Sequence, residues 1–136
     1  MKQTINIFFW NIKSSYGHEV MDCINYHGLE CDLIVLVEAT FSGIEQLLPS
    51  FELIQPMQLT GRKWIRILKN KSSNHFNITR NSNLFNDRIQ VASISSNGVK
   101  DFHLYGLHLH SKVNKDRISQ IELNMDAIRE IEIFQE

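Results

Sequence analysis

Asp32-Leu33-Ile34-Val35-Leu36-Val37-Glu38 is an apolar run that ends in a carboxylate. An unbroken run of this length, without apolar-polar alternation, reads as a strand covered on both faces. About two dozen residues upstream, Ile5-Asn6-Ile7-Phe8-Phe9-Trp10-Asn11 ends in a polar amide. Between the two, Val20, Cys23, Ile24 and His27 recur at helical spacing, predicting a helix over His18 to His27 with Gly28 as its C-cap. Strand, short helix, strand is a crossover unit, so strands Thr4 to Trp10 and Leu33 to Val37 are expected to run parallel. Parallel pairing places Asn11 and Glu38 at one carboxyl edge, where ligand sites of such sheets lie.

Outward from this unit the pattern changes. A short helix carries Ile44, Leu47 and Leu48, with Pro49 near its end. Phe51 to Ile54, Trp64 to Leu68, Arg88 to Ile94 and Phe102 to Leu109 then read as strands separated by turn-rich stretches. Ser96-Asn97-Gly98 is a hairpin signal, making Arg88 to Ile94 and Phe102 to Leu107 antiparallel neighbours. Asn74 to Asn86 is Asn-rich and reads as a loop. Lys115 to Ile133 reads as an amphipathic helix, with Ile118, Ile121, Met125, Ile128 and Ile131 on one stripe suited to packing on a sheet. Asn114 or Ser111 would cap its start.

A length of 136 residues suits one domain, 1–136, with a real core. No stretch approaches the roughly 20 apolar residues of a membrane span. The first apolar run is short and interrupted by Asn6 and Asn11, so it reads as a strand rather than a signal peptide, and a cytoplasmic protein is expected. Cys23 and Cys31 form no C-x-x-C pair and read as buried thiols. Net charge is -1, which by itself points to no partner. Its distribution is uneven. No acid occurs between Glu52 and Asp87, a window holding Arg62, Lys63, Arg66, Lys69, Lys71 and Arg80 with Trp64 and Phe76. Such a window suits a phosphate backbone or, equally, a solvated strand and loop.

Glu38 is the foremost candidate for chemistry. A carboxylate ending a buried strand costs free energy unless it is paired or bound to a metal. One carboxylate with several waters is a common way to hold Mg²⁺ beside a phosphate. The alternative is that Glu38 caps the next turn and Asn11 bonds to backbone. His108 and His110 share one side of their strand and His103 lies on the other. An H-x-H pair suits zinc only with a third ligand, and none stands at motif spacing. A strand-end histidine also suits phosphate contact or proton transfer. Arg88, opening a strand, is either a surface charge or a phosphate clamp. Walker, dinucleotide and G-x-S-x-G motifs are absent from the sequence.

Taken in order, these segments resemble the endonuclease/exonuclease/phosphatase (deoxyribonuclease-I-like) superfamily. Ile7-Phe8-Phe9-Trp10-Asn11-Ile12 resembles its first strand. Asp32 to Glu38 resembles the strand ending in the metal-binding Glu. Gly61-Arg62-Lys63-Trp64-Ile65-Arg66-Ile67-Leu68 resembles the strand after the substrate-facing loop. Asp87-Arg88-Ile89-Gln90-Val91 resembles the strand often opened by Arg, and Leu107-His108-Leu109-His110-Ser111-Lys112 the His-Leu-x-Ser strand end. The resemblance implies that Glu38 binds a divalent metal, Mg²⁺ or Mn²⁺, that Asn11 supports the site, and that His108 contacts the scissile phosphate. Arg88, Arg62 and His110 would stand on the substrate side. Val37 and Gly106 depart from the family, which often has Gln and Asn there.

The family continues with a Gly-Asp-Phe-Asn strand end and a late Asp-His pair, neither of which occurs in these 136 residues. The implied fold is therefore α+β, half of an α-β-β-α four-layer sandwich, with this chain supplying one sheet and its helices. The implied activity is metal-dependent phosphoester hydrolysis, nuclease or phosphatase in type, with nucleic acid slightly favoured as substrate. This chain alone would be inactive, because the water-activating side is missing. A second expectation is a non-catalytic half-domain that self-associates or meets a complementing C-terminal half. A receiver-like or flavodoxin-like fold suits the first unit but not the hairpin-rich remainder.

Overall fold

The computed structural model describes residues 4–13, 17–39, 41–54, 64–85, 89–96, 99–108, 125 and 129. Strand β1 (Ile7–Asn11), helix α1 (His18–Gly28) and strand β2 (Leu33–Ala39) form the expected crossover unit. β1 and β2 are parallel, with Ile7 opposite Leu33 and Asn11 opposite Val37. A single turn of helix α2 (Phe41–Ile44) and a 3₁₀ turn (Glu45–Leu47) lead into β3 (Phe51–Leu53) and β4 (Trp64–Asn70). β4 pairs antiparallel with both β2 and β3, giving a mixed sheet of order β1-β2-β4-β3. A second, antiparallel sheet has the order β5 (Asn77–Phe85), β6 (Ile89–Ser96), β7 (Val99–Leu107).

β2 lies at the centre of both cores. Its even-numbered side, Ile34 and Leu36, packs with Met21 and Ile24 of α1, Ile44, Leu47, Phe51 and Leu68. Its odd-numbered side, Val35 and Val37, packs with Ile65 and Ile67 of β4 against Ala92, Ile78 and Leu104 of the second sheet. Burial on two faces is why the run from Leu33 to Val37 has no polar alternation. The order of layers is thus helix, mixed sheet, antiparallel sheet, which is a partial deoxyribonuclease-like α+β sandwich.

Four expectations need correction. The chain supplies strands of two facing sheets, not one, because the inner sides of β2 and β4 are apolar and need a second layer. Asn74 to Asn86 is not a loop: β5 occupies most of it, paired from Asn77↔Ser95 to Phe85↔Gln90. Long-range ladder bonds there override the poor strand propensity of asparagine. Gly28 closes α1 without the left-handed backbone of a glycine cap, and Leu29 takes the C-cap position in right-handed helical geometry. The glycine serves close packing instead, since a Cβ at Gly28 would lie 2.6 Å from Cδ1 of Ile34. Met125, on the stripe expected to pack, is 46% exposed; of the stretch Lys115 to Ile133 only Met125 and Arg129, both helical and exposed, are among the described residues.

The hairpin between β6 and β7 is as expected, with Ser96 paired to Val99 at its end. Among the described residues, no helix is long and apolar enough to cross a membrane.

Candidate active site at the carboxyl edge of the mixed sheet

Glu38 sits on a bulge. Leu36 pairs with Arg66 and Ala39 with Trp64, so β2 carries one residue more than β4 across this interval. Glu38 adopts φ 59°, a left-handed backbone that a non-glycine residue takes at a cost of about 1–3 kcal/mol. The extra residue breaks the alternation of β2. Ala39, odd-numbered like Val35 and Val37, is buried with the helix-side core instead of facing the second sheet. Glu38 is turned out of register in the same step, and its Oε1 lies 3.3 Å from Nε2 of His108.

His108 arrives from the other sheet. Leu104 of β7 faces the inter-sheet core, and Gly106 and His108 follow on the same side by the two-residue period. Gly106 makes the approach close: a Cβ there would lie 2.8 Å from Cγ2 of Ile65. That geometry accounts for a glycine where the resemblance suggests Asn. Val37 is buried between the sheets and packs in the apolar cluster of Val35, Ile65, Ile67 and Ala92. Glu38 and His108 are both about one quarter exposed, so the pair is reachable yet partly shielded.

Asn11 ends β1 opposite Val37, and the amide N–H of Ile12 donates to the Val37 carbonyl at 3.1 Å. Oδ1 of Asn11 accepts a hydrogen bond from the backbone N–H of Lys13 at 3.0 Å, and Lys13 has φ 51°. The backbone role is therefore real for one half of the Asn11 amide. The NH₂ half is a donor suited to an anion.

Arg62, Arg88 and His110 lie outside the described residues. His103 is on the outer face, its Nδ1 3.0 Å from Ser93 Oγ, opposite in sense to His108 as anticipated. His18 pairs with Asp22 on exposed helix surface, and His27 stacks on Phe8, so both are surface or packing residues. The basic window is divided by the fold. Arg66 is fully buried, and its Nε donates to the Ala39 carbonyl at 3.1 Å. Lys69 lies 5.5 Å from the Phe76 ring and bonds the Asn70 carbonyl. These two cations serve the fold rather than an open phosphate-binding stripe.

Sequence reasoning passed over Arg66 and Gly106 as parts of the site. A signal existed for Arg66: it shares a strand side with Leu68 while Ile65 and Ile67 occupy the other. A cation between apolar residues of a central strand has to be buried with a purpose. Among the described residues, no three His, Cys, Asp or Glu side chains cluster as a metal cage. The donor set among the described residues fits a hard cation held by one carboxylate and water.

No family model matches the chain, and no curated protein matches it. Solved structures do. A crystal structure of D. rerio TDP2 complexed with single-strand DNA product matches over 92% of this chain, with a TM-score of 0.55 and 15% identity. The match covers 54% of that chain, so this chain spans about half the length of its structural neighbour. At this identity the likeness concerns the fold, which is deoxyribonuclease-like and partial.

Proposed function

We propose that this chain carries the metal- and phosphate-binding side of a divalent-metal-dependent phosphoester hydrolase. The carrying observation is the Glu38–His108 approach of 3.3 Å, made by strands of two different sheets at one edge. Glu38 would hold Mg²⁺ or Mn²⁺ through its carboxylate and water. The metal would supply positive charge that stabilises a phosphoryl oxygen. His108, oriented by Glu38, would donate to a phosphate oxygen, and the Asn11 NH₂ would donate from β1. Arg62, Arg88 and His110 are proposed for the substrate side on the strength of the resemblance. Nucleic acid is the favoured substrate class, supported by the DNA product in the structural neighbour's complex.

Isothermal titration with MnCl₂, paired with a hydrolysis assay on a single-stranded oligonucleotide, tests this reading. Weak Mn²⁺ binding that Glu38→Gln abolishes is expected, with negligible hydrolysis by the 136-residue chain. Robust Mn²⁺-dependent hydrolysis by this chain would overturn the assignment of water activation to residues outside it. Absence of Mn²⁺ binding would overturn the role of Glu38.

A second reading, an association module, has its own support. Among the described residues β1 is a sheet edge, and Phe9 and Ile7 on it are 61% and 42% exposed. They lie on the side of the mixed sheet that elsewhere meets the second sheet. An open strand edge beside exposed apolar side chains favours pairing with another chain. This reading requires a dimer, or capture of a complementing half, in multi-angle light scattering; a monomer whose Phe9→Lys variant behaves identically would sink it.

A further inference from the structure

We infer that Arg66 is a positioning residue for this site, holding the β2 bulge in the form that presents Glu38 to His108. This inference deepens the proposed hydrolytic reading and rests on it for the metal readout only. A fully buried arginine is costly in a domain of this size and is retained where its hydrogen bonds do something specific. The Arg66 side chain lies on the helix side of β4, and β4 pairs Arg66 with Leu36, two residues before Glu38. From there its Nε reaches past the bulge to the carbonyl of Ala39, one residue after Glu38. The guanidinium thus spans the interval in which β2 carries its extra residue. It secures the carbonyl that follows the left-handed Glu38, at the point where strand pairing with β4 resumes at Ala39↔Trp64.

A carbonyl held at that point resists the relaxation that strain at Glu38 favours, in which the bulge slides out and Glu38 returns to strand alternation. Alternation would carry the carboxylate to the helix side with Ile34 and Leu36, away from the side His108 approaches from. Arg66 is neither near the solvent nor placed to meet substrate. Its effect on chemistry would pass through backbone and Glu38, as supporting residues act on metal ligands.

The test uses the whole 136-residue chain and two independent readouts. Nuclear Overhauser contacts report the Glu38–His108 approach without any metal, with Val35–Ile67 cross-strand contacts as the control for an intact sheet. Mn²⁺ titration reports the ligand. Arg66→Met is expected to keep the Val35–Ile67 contacts, lose the Glu38–His108 contact and weaken Mn²⁺ binding about 10-fold or more. Arg66→Lys, which keeps a donor and a charge, is expected to fall between wild type and Arg66→Met.

Should Arg66→Met fail to fold, the wild-type protein decides. A slowly exchanging Arg66 Nε–H with through-bond coupling to the Ala39 carbonyl is expected, and a rapidly exchanging one without coupling overturns the inference. Retention of both the Glu38–His108 contact and Mn²⁺ affinity in Arg66→Met also overturns it. If wild type binds no Mn²⁺ but Arg66→Met loses the Glu38–His108 contact, the metal reading fails while the positioning role stands.

Discussion

The two ends of β2 each carry a carboxylate, and they are built in opposite ways. At the entry, Oδ2 of Asp32 accepts from the Asn6 N–H at 2.7 Å and Oδ1 from Ser73 Oγ at 2.7 Å, with His75 Nε2 at 3.8 Å from Oδ1. Asn70, 5% exposed, closes the same knot by donating to the carbonyls of Leu29 and Cys31 while its Oδ1 accepts from the Ser72 N–H. At the exit, Glu38 stands on a bulge in a left-handed backbone and meets a histidine from another sheet. The first carboxylate is consumed by local donors and ties the loops to the sheet. The second is held in a strained form, which is the usual mark of a group retained for chemistry rather than stability.

The contrast makes its largest prediction at the entry. Asp32→Ala strips acceptors from the Asn6 amide and Ser73 hydroxyl and should cost about 3 kcal/mol of stability. Glu38→Gln should change stability by less than about 1 kcal/mol, since it keeps the shape of a partly exposed side chain. Urea denaturation of both variants measures the difference, and equal losses would dissolve the distinction between the two ends.

Gly106→Ala comes next. Its new methyl meets a β-branched side chain in a packed inter-sheet core, and a loss of about 1–2 kcal/mol is expected. Ile65→Leu in the same chain removes the methyl it meets and should recover part of that loss. The Glu38–His108 contact should weaken in Gly106→Ala and return in the double variant, read by the same nuclear Overhauser signals.

A smaller effect of opposite sign tests the strain directly. Glu38→Gly removes the Cβ that disfavours φ 59° and should raise stability by up to about 1 kcal/mol while abolishing Mn²⁺ binding. A drop in stability would mean that the Glu38 side chain contributes more to the fold than its backbone costs.

The smallest effect belongs again to the entry. Burial first, then the charges of Asp32 and Glu30, push the Cys31 thiol above its ordinary value. The unfolded chain therefore releases the thiol proton at lower pH than the folded one. Stability is intact below the ordinary thiol range and falls as pH rises through it toward the folded value. Wild type should lose slightly more stability than Cys31→Ala between pH 7.5 and pH 10, measured by urea denaturation at each pH.

Much of this architecture was legible in the chain. The apolar run at Leu33, the helical spacing of Val20, Cys23 and Ile24, and the hairpin signal Ser96-Asn97-Gly98 each express a local rule. Local rules are written in neighbouring residues. β5 was not legible, because its asparagines favour turns and only the β6 ladder makes them a strand. Arg66 was misplaced for a related reason: charge composition marks it as surface, and its place on the Leu68 side of an apolar strand signals burial only once the helix-side packing of β4 is known. Asn11 and Glu38 were visible together, from parallel pairing at one carboxyl edge, and His108 was joined to them by the resemblance.

What the amino-acid sequence determined by itself is the parallel unit and the polar groups closing its strands, since periodicity and turn chemistry act over a few residues. What only the tertiary structure decided is which of those groups meet. Glu38 and His108 are 70 positions apart. Their contact depends on a bulge, on a glycine where two sheets close, and on a buried arginine. Each of these has meaning only once separate strands have packed, because the distance between two sheets is a property of neither strand alone.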